Sequence, residues 1–130
     1  MRAAVAVWNG RVSPVFDVAG AVLLADVDGG RVSPGETRPM RAASPRARAA
    51  ELGAMEVEVL ICGAISRPLE AVVRGAGIDV VPWIAGDVNA VLEAYAGGSL
   101  SAPRFLMPGC CGRRRRFRGG FGGRGAGRRP

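Results

Sequence analysis

Between residues 57 and 98 the chain passes twice from a short apolar run into a stretch with helical spacing, and each stretch carries its own start and stop signals. That alternation restricts the fold more than any other feature, because strand–helix–strand units bury both faces of a parallel sheet. "VEVLICG" (57–63) becomes wholly apolar, as a central strand does. In "SRPLEAVVRGAG", Ser66 is placed to cap, Pro68 suits the first turn and Gly77 ends the helix. Leu69, Val72, Val73 and Ala76 fall at i, i+3, i+4 and i+7, one apolar stripe. "DVVPWI" (79–84) follows as a strand. A further helix then runs from Asp87 as cap through Val88, Val91, Leu92 and Tyr95 to a stop at Gly97-Gly98.

The first half is built differently. "AAVAVW" (3–8) reads as a buried strand, "NGRVSP" as a loop with turn signals, and "AVLLADVD" (21–28) as a second strand. Gly29-Gly30 makes a two-residue hairpin into "RVSPGE", whose Pro34 places that third strand at a sheet edge. A helix starts at Ser44 with Pro45 in its first position and closes at Gly53. The expectation is an α/β fold with a mixed five-stranded sheet of order 3-2-1-4-5 and three helices. In such sheets ligands collect outside the carboxyl ends of the strands. Here that edge consists of "NGRVSPVF", "GAISRP" and "WIAGD".

The pI of about 11.1 belongs to one end of the chain. Residues 1–108 hold ten arginines and eleven acids, a net of −1, whereas residues 109–130 hold eight arginines and no acid. That glycine- and arginine-rich end is poor material for a packed core. A domain over 1–102 and a disordered tail over 103–130 are therefore expected. No apolar run approaches the roughly 18–20 residues of a membrane span, and Asn9-Gly10 end the first apolar run too early for a secretory signal. The expected location is the cytoplasm.

Histidine and lysine are absent. This removes His-based nucleophilic catalysis and the lysine-bearing phosphate loop. The first strand has no carboxylate of the kind a two-metal nuclease needs there. The chain therefore reads as a non-enzyme.

"VAVWNGRVSPVFDVAG", "ELGAMEVEVLICGAI" and "AVVRGAGIDVV" with "DVNAVLEAYAGGSL" together resemble the dinitrogenase iron-molybdenum cofactor biosynthesis family, the NifX/NafY-like accessory proteins. The resemblance covers roughly residues 3–100 and departs at Asp17, where the family usually has glycine. It implies a three-layer ribonuclease-H-like motif. It also implies binding of a metal–sulfur cluster, of iron-molybdenum type or a precursor, in company with cofactor-assembly proteins. Some cofactor-binding members are thought to use histidine, which this chain lacks, so direct ligands must be cysteine, carboxylate or backbone.

Cys110 and Cys111 are the candidate metal ligands, since thiolates suit soft metals and neighbouring guanidiniums favour the thiolate. Two ligands do not complete a site, and Cys62 lies in a predicted core strand. Asn9, Arg11, Ser13, Phe16, Gly63, Ser66, Arg67 and Gly86 are the candidate cofactor-binding residues, with Arg11 and Arg67 balancing an anionic ligand. Ser66 as a cap, Ser13-Pro14 as a turn and Phe16 as core are compatible readings of the same residues. The alternative function is nucleic-acid binding through the RGG-like tail, with Phe117 and Phe121 stacking on unpaired bases.

Overall fold

The computed structural model describes residues 1–100 and 105–107, together with two extended backbone dipeptides, Gly125–Ala126 and Arg128–Arg129. Cys110, Cys111, Phe117 and Phe121 lie outside the described residues. The elements are β1 (Arg2–Trp8), β2 (Arg11–Val12), β3 (Ala21–Asp28), β4 (Arg31–Pro39), α1 (Pro45–Ala54), β5 (Val59–Ile61), α2 (Arg67–Gly75), β6 (Asp79–Val81) and α3 (Val88–Gly97). The main sheet runs β4-β3-β1-β5-β6, with β2 paired to β1. It is antiparallel from β4 to β1 and parallel from β1 to β6.

Side chains alternate along β1 between two cores. Ala4 and Ala6 join Leu24, Leu52, Leu60, Leu69 and Val73 on the face covered by α1 and α2. Ala3 and Val5 join Val59, Ile61, Val88, Val91 and Leu92 on the face covered by α3. Both faces of β1 are thus dry, which explains its unbroken apolar run. Each fully buried Leu or Val contributes about 1.5–3 kcal/mol.

The helix starts match their sequence signals. Ser44 Oγ accepts from Ala47 N (3.2 Å), Ser66 Oγ from Leu69 N (3.4 Å), and Asp87 Oδ2 from Asn89 N and Ala90 N (3.0 and 3.1 Å). Gly98, left-handed at φ 81°, closes α3. Gly29 and Gly30, at φ 57° and 81°, form the expected tight hairpin.

Three strand boundaries differ from expectation. β4 extends to Pro39 because, just past Pro34, a bulge opposite Leu24 takes in Gly35 and Glu36, and an added Cβ on Gly35 would lie 3.0 Å from Leu24 O. β5 starts only at Val59, since Val57 N is still bonded to Leu52 O (3.2 Å). β6 ends at Val81, because Pro82 follows and Trp83 turns left-handed at φ 66°. β2 is an addition to the five expected strands. Phe105 is buried in the α3-side core, three residues past the expected boundary at 102. No helix among the described residues is long and apolar enough to cross a membrane.

Candidate functional site at the carboxyl edge of the sheet

Three loops leave the carboxyl ends of β1, β5 and β6, and backbone hydrogen bonds knit them into one edge. Asn9 and Gly10, at φ 53° and 76°, turn the chain so that Arg11 and Val12 pair back on Trp8 and Val7. Val12 N then donates to Gly86 O (2.9 Å) and Val88 N to Gly10 O (3.0 Å), which ties this hairpin to the start of α3.

The chain next crosses the end of β5. Ala64 N donates to Pro14 O and Phe16 N to Ala64 O, both at 2.8 Å. The crossing is so close that a Cβ on Gly63 would meet Pro14 O at 2.5 Å and Ser13 O at 2.7 Å. On the far side Trp83 N donates to Gly63 O (2.9 Å) and Ile84 N to Cys62 O (3.0 Å). Residues 105–107 return along this loop, with Ala85 N on Phe105 O (2.8 Å) and Met107 N on Trp83 O (3.0 Å). A left-handed tryptophan costs on the order of 1–2 kcal/mol. These bonds on either side hold it there.

The eight candidate residues divide by exposure. Asn9, Arg11 and Arg67 are exposed, Ser66 and Gly86 are half-buried, and Ser13, Phe16 and Gly63 are buried. Phe16 is completely buried and belongs to the core beneath the loop, not to a pocket wall. Ser66 serves as the α2 cap, and its N–H donates to Asp17 Oδ1 (2.8 Å). Asp17 therefore fastens the first loop to the start of α2. Along this edge Arg11 forms an isolated antiparallel bridge with Asp87, and Asp17 bonds the residue before Arg67.

Sequence reasoning did not single out Arg48, although it is only 4 % exposed. Its Nη1 donates to Ala42 O (2.7 Å), and its Nη2 donates to Phe16 O (2.8 Å) and Ala19 O (2.7 Å). The guanidinium carbon stands 4.9 Å from the centre of the Phe16 ring, and Nε is buried without a hydrogen-bond partner. Desolvation lowers the guanidinium pKa, while the charges of Glu51 and Asp17 oppose that shift. Arginine stays cationic throughout. The available signal was its spacing: Arg48, Leu52 and Met55 lie at i, i+4 and i+7, so a charge sits within an apolar stripe.

Glu51 secures the approach to α1, accepting from Arg41 N (3.0 and 3.2 Å) and Ala42 N (3.1 Å). Desolvation raises its pKa, but the bonds from Ala42 and Arg41 and the charges of Arg48 and Arg41 outweigh this and leave it lowered. A lowered carboxylate pKa stabilises the fold above the unfolded value, and the gain disappears as pH falls through the folded value. Wild type should therefore be more stable than Glu51→Gln near neutrality, with the gap closing below about pH 4.3. Urea unfolding of both proteins at pH 7, 4 and 3 measures this; a gap independent of pH would contradict it.

Among the described residues no three His, Cys, Asp or Glu side chains gather to hold a metal ion. Cys62 is buried in the core under α1 and α2.

Residues 1–98 match the family model described as dinitrogenase iron-molybdenum cofactor. The chain belongs to this family. No curated protein matches the sequence. Among solved structures, the protein PH0822 is 22% identical with a TM-score of 0.70, over 75% of this chain and 92% of that one. A protein of Methanocaldococcus jannaschii, provisionally described as a dinitrogenase, is 17% identical with a TM-score of 0.56, over 76% of this chain and 90% of its own. A Thermotoga protein, provisionally described as a NifB protein, is 22% identical with a TM-score of 0.54, over 75% and 89% respectively. At these identities the neighbours speak for the shared fold, and the family match ties the chain to handling of the iron-molybdenum cofactor.

Proposed function

We propose that this chain is a non-catalytic accessory protein that binds an iron-molybdenum-type metal–sulfur cofactor, or its precursor, during cofactor assembly. The family match over residues 1–98 carries this reading. The knitted carboxyl edge supports it, because three loops of small and polar residues meet there with Arg11 and Arg67 open to solvent. On this reading the helix–sheet–helix layers are a ribonuclease-H-like motif, and residues 1–102, with 105–107 packed back on them, form the cofactor-binding domain. Asn9, Arg11, Ser66, Arg67 and Gly86 line the side that meets the cargo, while Ser13, Phe16 and Gly63 shape it from within. The tail is the remainder, residues 108–130. Cys110 and Cys111 supply soft thiolate ligands, and the tail arginines draw in the anionic cargo. The partners are cofactor-assembly proteins in the cytoplasm.

The test is anaerobic incubation of the full chain with iron, sulfide and molybdate, followed by desalting and metal analysis. Wild type is expected to retain metal in a fixed ratio to protein. The Cys110→Ser/Cys111→Ser double variant and the Arg11→Ala/Arg67→Ala double variant should each retain several-fold less. Wild-type protein that emerges without metal, its thiols still titratable, would overturn the reading.

A further inference from the structure

Among the described residues Arg48 is the one buried charged side chain, and its hydrogen-bond partners are carbonyls instead of a carboxylate. Burying a cation in this way is unfavourable unless the surrounding geometry supplies hydrogen-bond acceptors for its donors. Here the geometry does. The carbonyls of Phe16, Ala19 and Ala42 converge on it from two segments that are far apart in sequence. An apolar side chain in its place would leave two of them, Ala19 O and Ala42 O, without the donors shown. The turn at residues 16–18 has no side-chain cap and only weak bonds of its own, at 3.1 and 3.4 Å, so it depends on outside anchors: the buried Phe16 ring, the bonds to Ala64 and Ser66, and Arg48 from beneath.

The same short loop makes two contacts with the carboxyl edge. Its first half lies over Gly63 and exchanges hydrogen bonds with Ala64, and Asp17 reaches Ser66 N next to Arg67. We infer that Arg48 is a positioning residue, which sets the shape of loop 13–19 from beneath and thereby the shape of the carboxyl edge. It touches nothing a cargo would touch. The link to cargo rests on the reading under Proposed function, whereas the link to the loop stands on the geometry alone.

The test uses the full chain as wild type, Arg48→Met, Arg48→Lys and Asp17→Asn. Amide hydrogen exchange is read at Phe16, Ala19, Ala64 and Ser66. Tetrathiomolybdate, a small anionic molybdenum–sulfur probe, is titrated against tryptophan fluorescence well below each melting temperature. In Arg48→Met, exchange at all four amides should quicken ten-fold or more and probe affinity should fall about ten-fold. Arg48→Lys keeps the cation but loses the planar fork, so it should behave like Arg48→Met. Asp17→Asn leaves an amide oxygen that accepts more weakly than the carboxylate, so it should quicken Ser66 alone and by less than Arg48→Met.

Wild-type probe affinity in a folded Arg48 variant with quickened exchange would reduce Arg48 to a stability residue and overturn the inference. Unchanged exchange in that variant would overturn it as well. Should neither Arg48 variant fold, Asp17→Asn decides: a loop that loosens throughout would show that Arg48 does not hold it. If wild type itself ignores the probe, the cargo reading suffers, and the exchange data still report whether Arg48 governs the loop.

Discussion

Gly63→Ala should destabilise the protein by about 3 kcal/mol or more, a fall in melting temperature on the order of 15 °C for a domain of this size. The added Cβ would meet Pro14 O at 2.5 Å, Ser13 O at 2.7 Å and the Pro14 carbonyl carbon at 2.9 Å. All three are backbone atoms, and no rotamer change relieves the overlap. The crossing loop would have to lift, which breaks the Ala64 N–Pro14 O and Phe16 N–Ala64 O bonds together. Gly53→Ala is the matched control. It adds the same methyl within α1, where nothing lies within 4 Å, and should stabilise by about 0.5–1 kcal/mol. Thermal melts of the two variants should move in opposite directions. Equal melting temperatures would show that the loop does not press on Gly63 as described.

Phe16→Ala should cost about 3–5 kcal/mol, the usual range for emptying a fully buried aromatic site. The loss has two parts here. The cavity opens among Ala4, Ala6, Leu24 and their neighbours in the core under α1 and α2. The Arg48 guanidinium also loses the ring face 4.9 Å away, leaving a buried cation with one partner fewer. Phe16→Leu keeps most of the volume and should cost about 1.5 kcal/mol or less. Denaturant unfolding separates the two. A Phe16→Ala protein as stable as wild type, yet altered in binding, would return Phe16 to a pocket wall and contradict its burial.

What could be read from the sequence was local. Ser44-Pro45, Ser66 with Pro68, and Asp87 announced the helix starts, because capping involves only atoms within one turn. Pro34 announced a strand at the sheet rim for the same reason, since a missing N–H restricts that position wherever the rest of the chain goes. What stayed hidden depended on distant partners. Asp17 meets Ser66 across 49 positions, and Arg48 meets Phe16 across 32, so neither partner is readable from spacing, although the place of Arg48 in the Leu52–Met55 stripe is. Arg11–Val12 is too short to show a period of two, and Asn9-Gly10 was visible only as a turn. Left-handed Trp83 is set by its neighbours at Gly63, just past β5, and at Met107, not by its own preference. For the site, the meeting of three loops followed from topology. Which of their residues stay open to solvent did not, because that depends on one loop lying directly over Gly63.

The outer rims of the sheet have a consequence for how the protein keeps to itself at high concentration. Exposed strand rims invite other chains to add on, the first step toward fibrils. β4, on one rim, carries prolines at 34 and 39 and is kinked at Gly35. β6, on the other, is three residues long and ends where Pro82 and Trp83 divert the backbone. Neither rim offers a straight, uninterrupted ladder for a stranger to copy. Among the described residues both rims are therefore poor templates for polymerisation.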